Sequence, residues 1–322
     1  MKISHFRWIV LTVAFLALTY GGLKGLLLGD FLPTFSCRYI ETGGGECFLW
    51  SFQHYLSSYE EPMYTIRLSR PALLYFCLLI IIIGKAWCGW ICPFGLFMDI
   101  LDIIRRKFHA GYITFSEKLK ARLAPIKWIF LFIAMFAPLS ILLFFTSRSI
   151  AKEPIEPFCQ LCPARYILPL FAGNFNETSV DFKSIITTTM TVLGLTIAMA
   201  TIIGSLTKRR FWCAYCPMGL VLGFFRRISF LKLKKSCQKC TRCQVCYNVC
   251  PLEIKEVYQE RKRENVTFGD CILCFRCIEN CPEDNALLIT FLGKTIYKSN
   301  RAGFFARQNV KSGLPVQWKN KK

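Results

Sequence analysis

Cys240-Thr-Arg-Cys243-Gln-Val-Cys246-Tyr-Asn-Val-Cys250-Pro251 and Cys271-Ile-Leu-Cys274-Phe-Arg-Cys277-Ile-Glu-Asn-Cys281-Pro282 decide how this chain is read. Each run is C-x2-C-x2-C-x3-C-P. In that spacing three thiolates hold one [4Fe–4S] cluster and the fourth reaches across to the other. The predicted ligand sets are Cys240, Cys243, Cys246 with Cys281, and Cys271, Cys274, Cys277 with Cys250. A pair of four-cysteine zinc sites is the competing reading, but zinc does not need a twice-repeated three-plus-one-plus-Pro pattern. Cys237, just ahead of the first run, is an inert neighbour or an alternative ligand.

Outward from these runs the chain is too apolar for a soluble ferredoxin. Of its 322 residues 53% are hydrophobic, and the mean hydropathy is +0.37. A bilayer core of about 30 Å takes about 20 residues of helix. Four stretches are predicted to span it: 8–28, 71–87, 126–146 and 185–206. Lys24 and Lys85 sit where they can snorkel. The segment 105–127 carries seven basic residues and one acid, and 207–236 carries eight and none. Segment 29–70 has three basic and five acidic residues, and 147–183 four of each. The positive-inside bias therefore predicts an inner-membrane, multi-pass protein with both termini and the cysteine-rich tail in the cytoplasm. The net charge of +21 is then a topology signal and an attraction to anionic lipid headgroups. No motif calls for nucleic acid.

The membrane part reads as two copies of one unit. Trp87-Cys88-Gly-Trp-Ile-Cys92-Pro93-Phe-Gly-Leu follows the second span, and Trp212-Cys213-Ala-Tyr-Cys216-Pro217-Met-Gly-Leu follows the fourth. An apolar stretch ending in paired arginines succeeds each, 94–106 and 218–227, and is expected to lie along the inner membrane face. The segment between the first two spans carries Cys37 and Cys47, and that between the last two carries Cys159 and Cys162. Eight of the 18 cysteines are thus in the two tail runs. Four (Cys88, Cys92, Cys213, Cys216) fall at the inner ends and four (Cys37, Cys47, Cys159, Cys162) in the outer segments. Groups of four match the thiolate demand of a cubane cluster. For the inner four, free thiols, zinc or a redox dithiol are the alternatives. For the outer four, disulfides, a reactive C-x-x-C dithiol or copper remain open. Gly43-Gly44-Gly45 beside Cys47 reads as a turn or as close backbone approach to a ligand. Cys77 reads as a small apolar core residue.

The three histidines, His5, His54 and His109, lie outside the predicted spans, and no C-x-x-C-H string occurs, so haem is not expected. Nor is there a dinucleotide fingerprint or a Walker A string.

Four spans, paired W-C-x2/3-C-P motifs and a C-terminal two-cluster ferredoxin resemble the NapH/MauN/NosR-type membrane ferredoxins, over about residues 70–290. Cys88, Cys92, Cys213 and Cys216 match that family's inner motif. The second motif here is one residue shorter than the C-x3-C-P of the family, and the outer cysteine pairs are not part of its pattern. The expected fold is a mainly α membrane protein of two pseudo-symmetric helix pairs plus a C-terminal α+β two-cluster domain. Its expected parts are a first repeat (1–107), a second repeat (108–235), the ferredoxin domain (236–292) and a basic tail (293–322). The resemblance implies an electron-transfer subunit of an oxidoreductase complex. It would work between cytoplasmic clusters, the quinone pool or a partner subunit, and an extracytoplasmic redox partner. A metal-handling or maturation factor, such as a membrane cupric reductase, or an outer dithiol relay, is the alternative.

Overall fold

The computed structural model describes residues 3–20, 37–40, 47–57, 74–109, 111–144, 156–180, 182 and 185–309. Lys24, Gly43–Gly45 and the tail beyond 309 lie outside the described residues. The helices are α1 (Ile3–Thr19), α2 (Phe48–Ser57), α3 (Leu74–Ile83), α4 (Ala86–Trp90), α5 (Pro93–Lys107), α6 (Glu117–Leu123), α7 (Ile126–Phe144), α8 (Pro157–Leu161), α9 (Pro163–Phe171), α10 (Ile185–Thr207), α11 (Pro217–Phe224), α12 (Val245–Asn248), α13 (Glu256–Gln259), α14 (Arg276–Glu279) and α15 (Arg301–Asn309). The strands are β1 (Leu231–Lys235), β2 (Leu287–Phe291) and β3 (Lys294–Lys298).

Among the described residues two helical segments, Glu117–Leu139 and Ile185–Thr207, are long and apolar enough to cross a membrane. The other two apolar helices, α1 and α3, are shorter. Where one continuous helix was expected over 71–87, the chain breaks at Gly84, whose φ of 60° is left-handed. An added Cβ there would also sit 2.9 Å from Ser229, so glycine is required twice over. All four apolar helices expose large hydrophobic side chains: Ile9, Val13 and Leu16 on α1, Leu74 and Leu78 on α3, Phe132 and Phe136 on α7, Leu193, Met199 and Ile203 on α10.

The chain divides into two compact units. One comprises residues 1–10, 80–90 and 222–322. Its centre is an antiparallel sheet in the order β1-β2-β3, with Leu233 opposite Ile289 and Lys235 opposite Leu287. β2 and β3 are joined by Leu292 and Gly293, both at positive φ, as a tight hairpin turn requires. Leu233, Val266, Leu273, Phe275, Ile278 and Ile289 form the core. Lys235 is 2% exposed. Its ammonium donates to the carbonyls of Val257, Tyr258 and Glu260 at 2.8–3.0 Å, satisfying the orphan end of α13.

The other unit comprises residues 11–79 and 91–221. Here α10 packs on α5, α8 and α9, and α7 on α2 and α8. The buried face of α10 is Thr191, Gly194, Ala198, Thr201 and Ser205. That three-and-four spacing draws a stripe of small residues down one side, which lets backbones approach closely. Gly194 takes the closest approach: a Cβ there would meet the Gln160 carbonyl at 2.1 Å.

Candidate functional site: clustered thiols

Cysteines of the two tail runs lie near one another. Cys240, Cys243, Cys246 and Cys281 line one cavity with Pro282. Burial pushes the Cys246 thiol up to about 12, and its neighbours Cys240, Cys243 and Cys281 push the same way. In the second set burial raises Cys271 to about 12, with Cys274 and Cys250 adding to it. Cys277 is raised by burial and then by Cys274, Cys271, Cys246 and Cys250, so the two sets are also neighbours of each other. The loops share one backbone device. Arg242 and Gln244 in the first run have left-handed φ, and so do Leu273 and Phe275 at the matching positions of the second. Non-glycine residues in that region cost energy and concentrate at functional sites. Cys237 stands apart, with its sulfur facing the Arg263 carbonyl at 3.8 Å.

The first repeat's motif is partly built into this unit. Cys88 sits in α4, and a Cβ on the adjacent Gly89 would lie 2.3 Å from the carbonyl of Ile272. Arg7 donates to the Gly89 carbonyl at 2.7 Å. Trp90 donates its indole N–H to the Leu273 carbonyl at 2.9 Å. Lys85, 4% exposed, donates to the carbonyl of Gly269.

In the other unit Cys37, Cys47, Cys159 and Cys162 come together. Burial pushes each of these thiols up, Cys37 to about 12. Each of the six pairs among them is close enough to add a like-charge contribution. Cys92 and Cys216 are likewise raised by burial, and Cys213 and Cys92 both push on Cys216. Cys37, Cys92, Cys213 and Cys216 pack against one apolar cluster of Ile40, Phe94, Met98, Tyr166 and Trp212. Cys88 belongs to the unit of residues 1–10, 80–90 and 222–322.

Side chains that no sequence motif singles out position these thiols. Gln53, fully buried, accepts from the Phe158 N–H at 2.9 Å and donates to Cys159 Sγ at 3.5 Å. Glu156, just before α8, accepts from Tyr39 at 2.8 Å and pairs with His54 at 2.9 Å. Arg210 and Asp99, almost wholly buried, pair through Nη2–Oδ2 at 2.8 Å and Nε–Oδ1 at 3.1 Å. The guanidinium acts on Cys92, where it opposes the effect of burial.

Buried thiols within electrostatic reach of one another are a donor set whose ionisation is favoured by added positive charge, which an iron–sulfur core brings. Among the described residues no three Cys, His, Asp or Glu side chains draw together tightly enough for one metal ion. A cubane core holds its four thiolates at separate corners and does not require that. The residues present therefore fit clusters.

The fold and its thiol groups define an iron–sulfur protein of the ferredoxin type. A 4Fe-4S binding domain family matches residues 72–111 and 190–236, the two copies of the repeated motif. A 4Fe-4S dicluster domain family matches residues 232–282. The chain is 26% identical over 215 residues to MJ0750 of Methanocaldococcus jannaschii, covering 66% of this chain and 75% of that protein. It is 24% identical to the putative electron transport protein YccM of Escherichia coli, over 67% of this chain and 54% of YccM. The ferredoxin-type protein NapH of Haemophilus influenzae is 27% identical over 62% of this chain and 60% of NapH. The chain thus spans less than two thirds of YccM and NapH. MauN and NosR proteins match as well, so the chain is similar to the ferredoxin-type proteins NapH and MauN, as its motifs indicate. No solved structure matches it.

Proposed function

We propose that this protein is a membrane-bound electron-transfer subunit that passes electrons between cytoplasmic clusters, the membrane and an extracytoplasmic redox partner. A bound [4Fe–4S] cluster supplies one-electron transfer. The chain's residues supply the thiolates, the exclusion of water and the charge that sets the potential. One observation carries the reading: Cys281 joins the cavity of Cys240, Cys243 and Cys246, and Cys250 neighbours Cys271 and Cys277, the crossover of a two-cluster ferredoxin. The sets Cys88, Cys92, Cys213, Cys216 and Cys37, Cys47, Cys159, Cys162 are read as two further cluster sites. The latter is supported by the mutual proximity of all four thiols.

The membrane-spanning segments are 8–28, 71–87, 126–146 and 185–206, with both termini cytoplasmic. The large apolar side chains exposed on α1, α3, α7 and α10 and the basic residues of 105–127 and 207–236 support this. The two repeats (1–107 and 108–235) and the ferredoxin domain (236–292) are the functional parts. The partners are lipid, a further redox subunit and quinone.

The test is iron and acid-labile sulfide per chain in anaerobically purified protein, with redox-titrated EPR. More than eight irons per chain is expected, each of Cys88→Ser and Cys213→Ser losing one common block. Eight or fewer, with unchanged iron in those variants, removes the further clusters. Copper bound stoichiometrically at the outer set in place of iron would instead favour the metal-handling reading.

A further inference from the structure

The segment carrying Cys159 and Cys162 is not a surface loop beyond the end of its span. It packs against the middle of α10. The Gln160 carbonyl and the Tyr166 ring lie where a Cβ of Gly194 would be. Gly194 is nine residues from one end of α10 and thirteen from the other, so at 1.5 Å per residue the contact falls about 14 Å along a helix of about 34 Å. Tyr166 fixes the approach by donating to the Gln160 carbonyl at 2.6 Å. A short helix whose ends lie at such depth is tolerated where protein covers them. Phe158, Cys159 and Leu161 are buried accordingly.

That depth brings the outer thiols onto the repeated motif. Cys37, Cys92, Cys213 and Cys216 share one apolar cluster. Cys92 lies within electrostatic reach of Cys47, Cys216 of Cys162 and Cys92 of Cys216. Cys47 and Cys162 are also neighbours. These four thiols close a ring. Two of its sides, Cys47 to Cys92 and Cys162 to Cys216, are the same step taken once in each repeat. Each runs from the second cysteine of the outer pair to the C-P cysteine of the motif.

We infer that Cys47 with Cys92, and Cys162 with Cys216, form two equivalent bridges that set the outer cluster site directly beside the site holding Cys92, Cys213 and Cys216. The inference rests on the cluster reading above for its chemistry, though the placement of the thiols does not. Its consequence is that electron passage between these two sites needs no intervening carrier. A hydrocarbon core of about 30 Å is too wide for a single efficient hop, and quinone or a partner subunit is then left to act at the ends of the path.

The full-length protein, stripped of iron anaerobically, is treated with a short dithiol cross-linker and mapped by mass spectrometry. Cys47–Cys92 and Cys162–Cys216 links are expected alongside links within the outer four. Links confined to Cys37, Cys47, Cys159 and Cys162, with none reaching Cys92 or Cys216, overturn the inference while leaving the cluster reading standing. In iron-loaded protein, the reduced EPR spectrum minus that of Cys159→Ser should show mutual broadening, and the signal left in the variant should sharpen. Full iron with two strictly additive, unbroadened signals also overturns the inference. Iron that never exceeds eight per chain, with the cross-links present, overturns the cluster reading and with it the adjacent pair of sites.

Discussion

Lys85 points its ammonium at the carbonyl of Gly269, two residues ahead of Cys271, from a position only 4% exposed to solvent. A buried cation at that spot acts on Cys271, where it opposes the upward effect of burial. Adding an electron to a cluster adds negative charge, so a nearby cation favours the reduced form and raises the potential. Lys85→Met should therefore lower the midpoint potential of the cluster site holding Cys271 and leave the Cys240 site nearer its original value. Redox-titrated EPR of wild type and variant measures both. Equal shifts of the two signals, or none, would sink the assignment.

Asp99 and Arg210 form a forked pair with almost no exposure. Gly95 makes room for it, since a Cβ would stand 3.2 Å from the guanidinium. Removing one partner leaves a charge buried without compensation, which costs about 3–5 kcal/mol. Asp99→Ala should lower the thermal midpoint far more than Glu117→Ala. Glu117 pairs with Lys120 at 3.2 Å, and its side chain is 62% exposed, so that interaction is screened. Comparable melts for the two variants would contradict this.

At Gly194 an added methyl group cannot be accommodated by a side-chain rotation, because the nearest atom is backbone, the Gln160 carbonyl. Gly194→Ala should push α8 off α10 at a cost of about 1–3 kcal/mol and reduce iron at the Cys159 and Cys162 site. Gly111→Ala is the control, since a Cβ there meets nothing within 4 Å. Wild-type iron in Gly194→Ala would show that α8 does not depend on that contact.

Much of this arrangement is legible from spacing alone, and the remainder is tertiary. The interleaved tail sets follow from C-x2-C-x2-C-x3-C-P because cluster geometry dictates the loop. In the structure Cys240, Cys243, Cys246 and Cys281 line one cavity. β1 and β3 lie just outside the expected 236–292 stretch. Lys294–Lys298 is exposed along most of its length, so its composition reads as a basic tail, and only its pairing with β2 makes it a strand. Gln53, Lys85 and Arg210 carry no motif; their importance comes from what other segments bring to them. The depth of Cys159 and Cys162 is likewise hidden. Hydropathy marks the apolar segments, but only the glycine and small-residue stripe of α10, read with its partner α8, says how closely a connecting segment folds back onto it.

The thiols also predict a pH dependence in iron-free protein. Burial lifts Cys37 and Cys216 from 9.0 to about 12. A group whose folded-state value exceeds its unfolded one holds its proton more tightly when folded. Its contribution to stability is complete below pH 9 and is lost as the pH rises through 9 toward 12. Iron-free protein should therefore melt at progressively lower temperature from pH 9 upward, over a range where the iron-loaded protein, whose ligands are already ionised, shows no such slope from these groups. At pH 8 iodoacetamide should modify Cys37 and Cys216 far more slowly in folded, iron-free protein than in the denatured chain, because the thiolate is the reacting species and burial disfavours it. Equal rates for these two cysteines in the folded and denatured chain would mean that the thiol pocket opens to water once the metal is gone, and that burial by the chain alone does not hold it closed.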